Sequence, residues 1–168
     1  MIKPDTQTEK DFEETMVAFG GVITKICYYF STDTEEYQDL RQEVLMNIWK
    51  GWNNFRGDAK LSTWIYRISF NTCLSYQRKN TRKYKSISIN EILNIAEEEE
   101  PSRMERYNEM HRLIQQLNYE DRALILLWLD EKSYEEIGEL MGINRNTLAV
   151  RLKRIKEKIV RLSQQNID

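Results

Sequence analysis

The chain has 168 residues and a net charge of -2 at pH 7, from 25 basic and 27 acidic side chains. This length allows one domain or two small helical domains. Charged residues make up 31% of the chain and Gly and Pro are scarce, which excludes a largely disordered chain and disfavours an all-β fold with its frequent turns. We therefore predict an all-α fold.

The charges are unevenly distributed along the chain. Acidic side chains concentrate near the amino terminus and at residues 97–100, whereas basic side chains concentrate at residues 78–85 and 145–161. A nucleic acid meets the local charge of a protein surface rather than its net charge. The slightly negative total therefore does not exclude a nucleic-acid partner.

Three amphipathic helices are predicted in the first half, where apolar residues recur at three- and four-residue steps. The first stripe consists of Phe12, Met16, Phe19, Ile23, Ile26 and Phe30. The second stripe consists of Tyr37, Leu40, Val44, Ile48 and Trp52. The third stripe consists of Leu61, Trp64, Ile65 and Ile68. Gly20 and Gly21 could break the first helix in two, and the turn-rich residues 53–58 separate the second helix from the third.

The large aromatic residues of this half fall into two groups. Trp49 and Trp64 lie on or beside the apolar stripes, so we predict that they belong to the core. Phe55 and Tyr66 are predicted to be exposed.

The cysteines and the amino terminus bear on the cellular compartment. Cys27 and Cys73 stand in apolar stretches without CxxC spacing, which indicates small buried side chains rather than a metal site or a disulfide. The amino terminus has no apolar signal core, and no stretch approaches the roughly 20 apolar residues that span a bilayer. We expect a cytoplasmic protein without membrane insertion.

Residues 84–106 are predicted to be an acidic linker between two small helical domains, at residues 8–83 and 107–164. The helical period fails in this segment, and residues 97–100 are all glutamate. Such a segment has too little apolar surface to fold by itself. After it, an apolar stripe predicts a helix, Asn118 and Tyr119 form a turn, and residues 123–129 form a strongly apolar second helix. The stripe consists of Met110, Leu113, Ile114 and Leu117.

Residues 134–159 predict a helix-turn-helix. Residues 134–141 form a short amphipathic helix, and Gly142 can take the left-handed backbone conformation that a tight corner requires. Gly138 leaves room for the second helix to cross closely, and Asn144 is placed to cap that helix.

The second helix of this motif has a buried stripe and an opposite polar face. The stripe consists of Leu148, Leu152, Ile155 and Ile159. The candidate DNA-reading residues are Arg145, Asn146, Thr147, Ala149, Val150, Arg151, Lys153 and Arg154. Arg and Asn can hydrogen-bond base edges, Ala and Val can contact thymine methyl groups, and Arg and Lys can bind phosphates. Glu157 is the only acidic residue from Gly142 to Arg161, which favours a recognition helix over an ordinary hairpin with a solvated charged face.

The sequence argues against an enzyme. It has one histidine, His111, and no glycine-rich phosphate loop. The carboxylate pairs Asp39 with Glu43 and Glu135 with Glu139 have the spacing of one helical turn and lie on charged faces, so non-catalytic pairs are the better interpretation. We expect no cofactor and no bound metal.

Two series of residues, taken in their order along the chain, resemble a known family. The first is Asp39-Leu-Arg-Gln-Glu-Val-Leu45, Trp49, Phe55-Arg-Gly-Asp58, Thr63-Trp-Ile-Tyr-Arg-Ile68 and Asn71. The second is Ser133-Tyr-Glu-Glu-Ile-Gly-Glu-Leu-Met-Gly-Ile143. Together they resemble the bacterial RNA polymerase sigma factors of the extracytoplasmic function (ECF) group, in which the first series belongs to region two and the second to region four.

The resemblance implies a factor that binds core RNA polymerase and directs initiation at specific promoters. The face that would meet the clamp helices of the core consists of Asp39, Gln42, Glu43 and Met46. The residues that would capture the start-proximal promoter element are Phe55, Arg56, Gly57, Asp58, Lys60, Arg67, Asn71 and Arg78. The helix-turn-helix would read the upstream promoter element, and an anti-sigma factor is a further expected partner. Without the resemblance, the core-binding set and the start-proximal set could equally well be ordinary solvated surfaces.

Two positions depart from the pattern of the family. Asn118 and Tyr119 stand where a proline is usual, and Gly138 replaces the usual alanine of the helix-turn-helix. The first is a loop detail and the second keeps a small side chain, so the resemblance holds. The alternative function is a helix-turn-helix regulator that binds duplex DNA without core polymerase.

Overall fold

In the computed structural model of the chain, which describes residues 6–79 and 101–165, the apolar stripes form seven helices. They are α1 (Thr6–Phe30), α2 (Thr34–Trp52), α3 (Leu61–Lys79), α4 (Pro101–Gln115), α5 (Tyr119–Leu129), α6 (Tyr134–Met141) and α7 (Arg145–Gln165). The predicted all-α fold is confirmed. Among the described residues no helix is long and apolar enough to cross a bilayer.

Helices α1, α2 and α3 pack on one another and form the first half of the molecule. The predicted stripe of α2 lies in the core, with Leu40, Val44 and Ile48 fully buried. The helix begins at Thr34, where the side chain of the preceding Asp33 caps it by accepting a hydrogen bond of 2.8 Å from the backbone N–H of Glu36.

Helices α5, α6 and α7 pack together in the second half, and α4 lies against α7. The apolar helix α5 is buried on most of its surface, since it also contacts both α1 and α3. Helix α4 contacts α1, and α6 contacts α3. The two halves therefore share one continuous hydrophobic core.

Three expectations about helix boundaries are corrected by the structure. Helix α1 begins at Thr6 rather than near Phe12, and it runs unbroken through Gly20 and Gly21. A Cβ at either glycine would meet nothing within 4 Å, so neither is needed for a turn or a close approach, and the apolar stripe keeps the helix continuous. Helix α4 begins at Pro101, inside the predicted linker, because proline suits the first turn of a helix.

The continuation of the apolar pattern explains the longer α4. Met104 and Tyr107 extend the stripe of this helix and pack against the core. The rest of the predicted linker, including the glutamate run at residues 97–100, lies outside the described residues.

The aromatic residues of the first half also differ in part from expectation. Trp64 packs against the core as predicted, and Trp49 is half-buried against Phe12 with ring centroids 4.7 Å apart. Phe55 is half-buried rather than exposed, because its ring packs on Trp64 at 5.0 Å. Tyr66 is 6% exposed, so the prediction that it faces solvent is wrong.

Candidate nucleic-acid interface

The first helix of the helix-turn-helix is set at both ends by local hydrogen bonds. At its start, Ser133 and Glu136 form a reciprocal capping box: Glu136 N–H donates to Ser133 Oγ at 3.1 Å, and Ser133 N–H donates to the Glu136 carboxylate at 2.8 Å. The bonds with Ser133 hold the pKa of Glu136 below its ordinary value. At its end, Gly142 takes the left-handed conformation, with φ of 67° and ψ of 34°, as predicted.

The turn brings α6 and α7 close together. An ideal Cβ on Gly138 would lie 2.6 Å from the carbonyl oxygen of Ile143, so the missing side chain is what permits this approach. The N–H of Ile143 also donates to the Gly138 carbonyl at 3.1 Å. Asn144 then caps α7 by accepting a 2.9 Å hydrogen bond from the N–H of Thr147.

Helix α7 presents the predicted reading face to solvent. Leu148, Leu152 and Ile155 are buried beneath it, whereas Val150 is 53% exposed. The other exposed members of the face are Arg145, Asn146, Thr147, Lys153 and Arg154, and Ala149 is half-buried. A basic helix surface with two small apolar side chains and one Asn is thereby available to a DNA groove.

Arg151 differs from the other basic residues of this helix, because acidic side chains of α5 already hold it. Its guanidinium donates to Asp121 at 2.7 Å and to Glu120 at 3.2 Å, and its side chain is half-buried. Burial lowers the pKa of Arg151, but the hydrogen bonds to Asp121 and Glu120 outweigh burial and leave it raised. Arg145 forms a looser ion pair with Glu135 at 3.3 Å.

The polar face of α2 is on the surface of the first half. Asp39, Gln42 and Met46 are exposed, and Glu43 is half-buried. Gln42 and Met46 also line a groove of about 610 Å³ whose other wall includes Thr24 of α1. The predicted core-binding residues thus form one surface with an adjoining depression.

The loop between α2 and α3 is anchored at one aromatic residue and otherwise exposed. Phe55 packs on Trp64, and Gly57 has a φ of 77°, which favours glycine. Arg56, Asp58 and Lys60 are exposed along the loop. This arrangement leaves polar groups free to meet a nucleic-acid base.

The predicted DNA-facing residues of α3 lie toward the second half of the molecule. Arg67 is 3.9 Å from Glu139, and Arg78 is 3.7 Å from Glu120. Asn71 and Arg78 line a cleft of about 320 Å³ whose opposite wall includes α6 and α7. The structure brings these residues together, but at the junction of the two halves rather than on an open surface.

Sequence reasoning missed the residues that join α4 and α5 to the carboxyl end of α1. The side chain of Gln115 donates to the carbonyls of Tyr29 at 2.9 Å and Ser31 at 2.8 Å. Arg122 Nη1 donates to the Tyr29 carbonyl at 3.1 Å, and the His111 ring lies 3.0 Å from the preceding carbonyl, that of Tyr28. No sequence pattern marks these contacts, because the partners are more than 80 residues apart.

Burial governs the titration of His111. Burial lowers the pKa of the imidazole to about 4. The hydrogen bond with the Tyr28 carbonyl acts to raise this pKa, whereas the positive charge of Arg122 lowers it further. Within the described ranges, no group of three His, Cys, Asp or Glu side chains is placed to hold a metal ion.

Comparison with known proteins connects this geometry to a family. Residues 16–83 match Sigma-70 region 2, and residues 107–159 match Sigma-70, region 4. The chain is 30% identical to the ECF RNA polymerase sigma-E factor of Escherichia coli over 134 residues, which cover 72% of this chain and 70% of that protein. It is 28% identical to the RNA polymerase sigma-H factor of Pseudomonas aeruginosa over 164 residues, covering 90% and 85% of the two chains.

A solved structure has a similar fold across both halves. The sigma factor RpoE of Bartonella quintana, crystallised in complex with the anti-sigma factor NepR, matches with a TM-score of 0.73 at 20% identity, over 92% of this chain and 98% of that one. The region order, the helix-turn-helix and the extent of these matches confirm the resemblance seen in the sequence. The chain belongs to the ECF group of RNA polymerase sigma factors, the initiation subunits that bind core polymerase and direct it to promoters.

Proposed function

We propose that this sigma factor divides promoter recognition between its halves. Residues 8–83 bind core polymerase and the start-proximal element, residues 107–164 read the upstream element, and residues 84–106 join the two. The observation that carries this proposal is the exposed basic face of α7 on a fully formed helix-turn-helix, in one chain with the polar faces of α2 and α3. DNA reading needs such a helix free to enter a groove.

On α7, base reading is assigned to the exposed side chains near the middle of the face. Asn146 can pair with a base edge and Val150 can contact a thymine methyl group, with Thr147 and Ala149 beside them. Phosphate contacts are assigned to the basic residues that flank them. These are Arg145, Arg151, Lys153 and Arg154. Arg151 contributes to phosphate binding only after it exchanges its carboxylate partners for DNA.

In the first half, α2 is the polymerase-binding element. Its exposed Met46 supplies apolar contact, while Asp39, Gln42 and Glu43 supply polar contact around it. The loop and α3 hold the start-proximal element, with Phe55 as a stacking surface for a base and with polar partners around it. The polar partners are Arg56, Gly57, Asp58, Lys60, Arg67, Asn71 and Arg78.

The proposed role requires no catalysis and no cofactor from this chain. Polymerisation belongs to the polymerase, so the chain acts as a binding subunit in the cytoplasm, where its partner works. RpoE is held by NepR in its crystal structure. By analogy we infer that an anti-sigma factor also binds this chain.

Reconstituted transcription tests the proposal. The purified chain is mixed with core RNA polymerase and a library of promoters with randomised upstream elements, and the transcribed templates are sequenced. We expect specific transcription only when core is present. The variants Asn146→Ala and Val150→Ala should change the selected upstream sequence, because they remove base contacts.

A control on the same helix separates reading from general damage. Arg161 is exposed near the carboxyl end of α7, outside the reading face, so Arg161→Ala should leave the selected sequence unchanged. Tight duplex binding without core, together with no stimulation of transcription, would instead support an independent regulator. An unchanged selection for both Asn146→Ala and Val150→Ala would remove these residues from the reading face.

A further inference from the structure

Phe55, the stacking residue of the loop between α2 and α3, is held in place by contacts that lead back to the last turn of α2. We propose that Gly51, in that turn, is a positioning residue for the start-proximal promoter element. Its missing side chain lets the indole ring of Trp64 lie against α2, and this ring fixes Phe55 for base stacking. The inference rests on the proposed role of the loop, and it adds the residue that sets the place of Phe55.

The Trp64 ring lies closest to α2 at Gly51. An ideal Cβ on Gly51 would lie 2.9 Å from Cζ2 and 3.5 Å from Cη2 of Trp64, and 3.7 Å from Cδ1 of Ile68. Two carbon atoms pack best at about 3.5–4.0 Å, so a methyl group at this position would overlap the indole. The absence of a side chain at Gly51 is therefore what lets the ring come this close to the helix.

The backbone of Gly51 does not itself require glycine. Among the described residues the glycines with positive φ are Gly57 and Gly142, whereas Gly51 lies within α2. Glycine is also one of the least favourable residues inside a helix. Space for the Trp64 ring, rather than backbone conformation, is thus what this position provides.

Two kinds of contact carry the position of this turn to the loop. The Phe55 ring packs on the Trp64 ring with centroids 5.0 Å apart. The backbone N–H groups of Asn54 and Phe55 donate to the carbonyls of Gly51 at 3.0 Å and Trp52 at 3.2 Å. The start of the loop is therefore tied to α2 through its backbone and to α3 through a single ring contact.

The surroundings of Trp64 decide what moves when its ring is displaced. The ring lies beside that of Trp52, with centroids 6.1 Å apart, and Trp52 is backed by Phe12 of α1 at 5.5 Å. All three residues pack against the hydrophobic core, whose close packing resists displacement. Phe55 is instead half-buried in a loop of mostly exposed residues. A displaced indole therefore shifts Phe55 before it shifts the core.

A shift of Phe55 weakens the capture of a base. Stacking of one base on an aromatic side chain strengthens binding on the order of tenfold or more, and it depends on contact between the two rings. A methyl group at position 51 should therefore reduce base capture without touching the DNA.

Gly51→Ala tests the inference in transcription with core polymerase. The templates carry randomised start-proximal elements downstream of one fixed upstream element that the wild type selects. Gly51→Ala should reduce the preference for the best start-proximal sequences on the order of tenfold. Gly20→Ala is the matched control, because it makes the same change inside α1, where the added Cβ would meet nothing within 4 Å, and it should keep the wild-type preference.

The upstream element supplies a second control. It is assigned to α7, in the other half of the chain, so its selection from a randomised library should be the same for Gly51→Ala and the wild type. General damage to the protein would lower selection at both elements, whereas loss of positioning lowers it at one.

Trp64→Phe shows whether Gly51 acts through the indole. Phenylalanine lacks the Cζ2 and Cη2 atoms that the new methyl group would displace. Trp64→Phe should itself weaken the start-proximal preference, because Phe55 loses part of the surface on which it packs. In that background Gly51→Ala should change the preference by less than about twofold, which is the non-additivity expected of two residues that act through one contact.

Three results would overturn the inference. One is a Gly51→Ala protein, folded by circular dichroism, that keeps the wild-type preference among start-proximal sequences. The second is a loss at both promoter elements, including a loss through unfolding. The third is an effect of Gly51→Ala that is as large with Trp64→Phe as without it. Failure of the proposed function would look different, since the wild type itself would then show no preference among start-proximal sequences.

Discussion

Replacing Gly138 by alanine would test whether the close approach of α6 to the turn sets the geometry of the helix-turn-helix. The family usually has alanine at this position, so the resemblance alone predicts a tolerated change. In this chain, however, an added Cβ would lie 2.6 Å from the carbonyl oxygen of Ile143. That oxygen belongs to the backbone of a turn in which Gly142 takes a left-handed conformation, so it cannot swing away as a side chain would.

Two effects of opposite sign decide the magnitude. Alanine in place of glycine inside a helix stabilises the folded state by roughly 1 kcal/mol. Overpacking against a fixed neighbour costs about 1–3 kcal/mol. Because the neighbour is backbone, we expect the clash to exceed the helix gain and Gly138→Ala to lower the free energy of unfolding by up to about 2 kcal/mol. Gly21→Ala is the matched control, since its Cβ would meet nothing within 4 Å, and it should raise the free energy of unfolding by up to roughly 1 kcal/mol.

Urea denaturation monitored by circular dichroism measures the free energy of unfolding of both variants. Because the two variants should shift this free energy in opposite directions, the comparison does not depend on the exact dependence of the free energy on urea concentration. Gly138→Ala should also weaken recognition of the upstream element in transcription with core, because the shifted turn moves α7 relative to α6. A Gly138→Ala protein at least as stable as the wild type, with unchanged use of the upstream element, would show that the turn relaxes freely and would refute this reasoning.

Three further predictions concern local chemistry. The pKa of His111 is about 4 in the folded chain and ordinarily 6.5. The free energy of unfolding should therefore keep its full value above pH 6.5 and decrease as the pH falls toward 4. This decrease in the free energy of unfolding should reach about 2 kcal/mol at pH 5. His111→Gln should make the free energy of unfolding less dependent on pH over this range, and an unchanged pH dependence would contradict the prediction. The thiols of Cys27 and Cys73 should react with a disulfide reagent only as fast as the first half unfolds, because both are buried. Burial, together with a hydrogen bond that the Cys73 thiol donates to Cys27, also raises the pKa of Cys73 well above its usual range. Fast labelling of the native protein would exclude this. Ser133→Ala should lower the free energy of unfolding by about 1 kcal/mol in urea titrations at neutral pH through loss of the α6 cap, and an unchanged midpoint would argue against the capping box.

The helix-turn-helix was predictable because its signals are local. Gly142 and Asn144 act on residues within one helical turn of themselves, and the structure confirms both the left-handed corner and the cap. Tyr66 shows the opposite case. Its neighbours along the chain indicated an exposed residue, but it is buried by contacts with Asp130 and Lys132, which are more than 60 residues away.

The same distinction applies to the candidate site. The sequence by itself determined which residues share a helix face and so which ones are predicted to bind DNA, because helical period and residue type assign a face of a helix without knowledge of its neighbours. Only the tertiary structure decided which faces are open: α7 presents Asn146 and Val150 to solvent, whereas Arg67 and Arg78 of α3 meet carboxylates of the other half. Packing between distant segments depends on the shape and burial of whole surfaces, and no spacing within one segment encodes it.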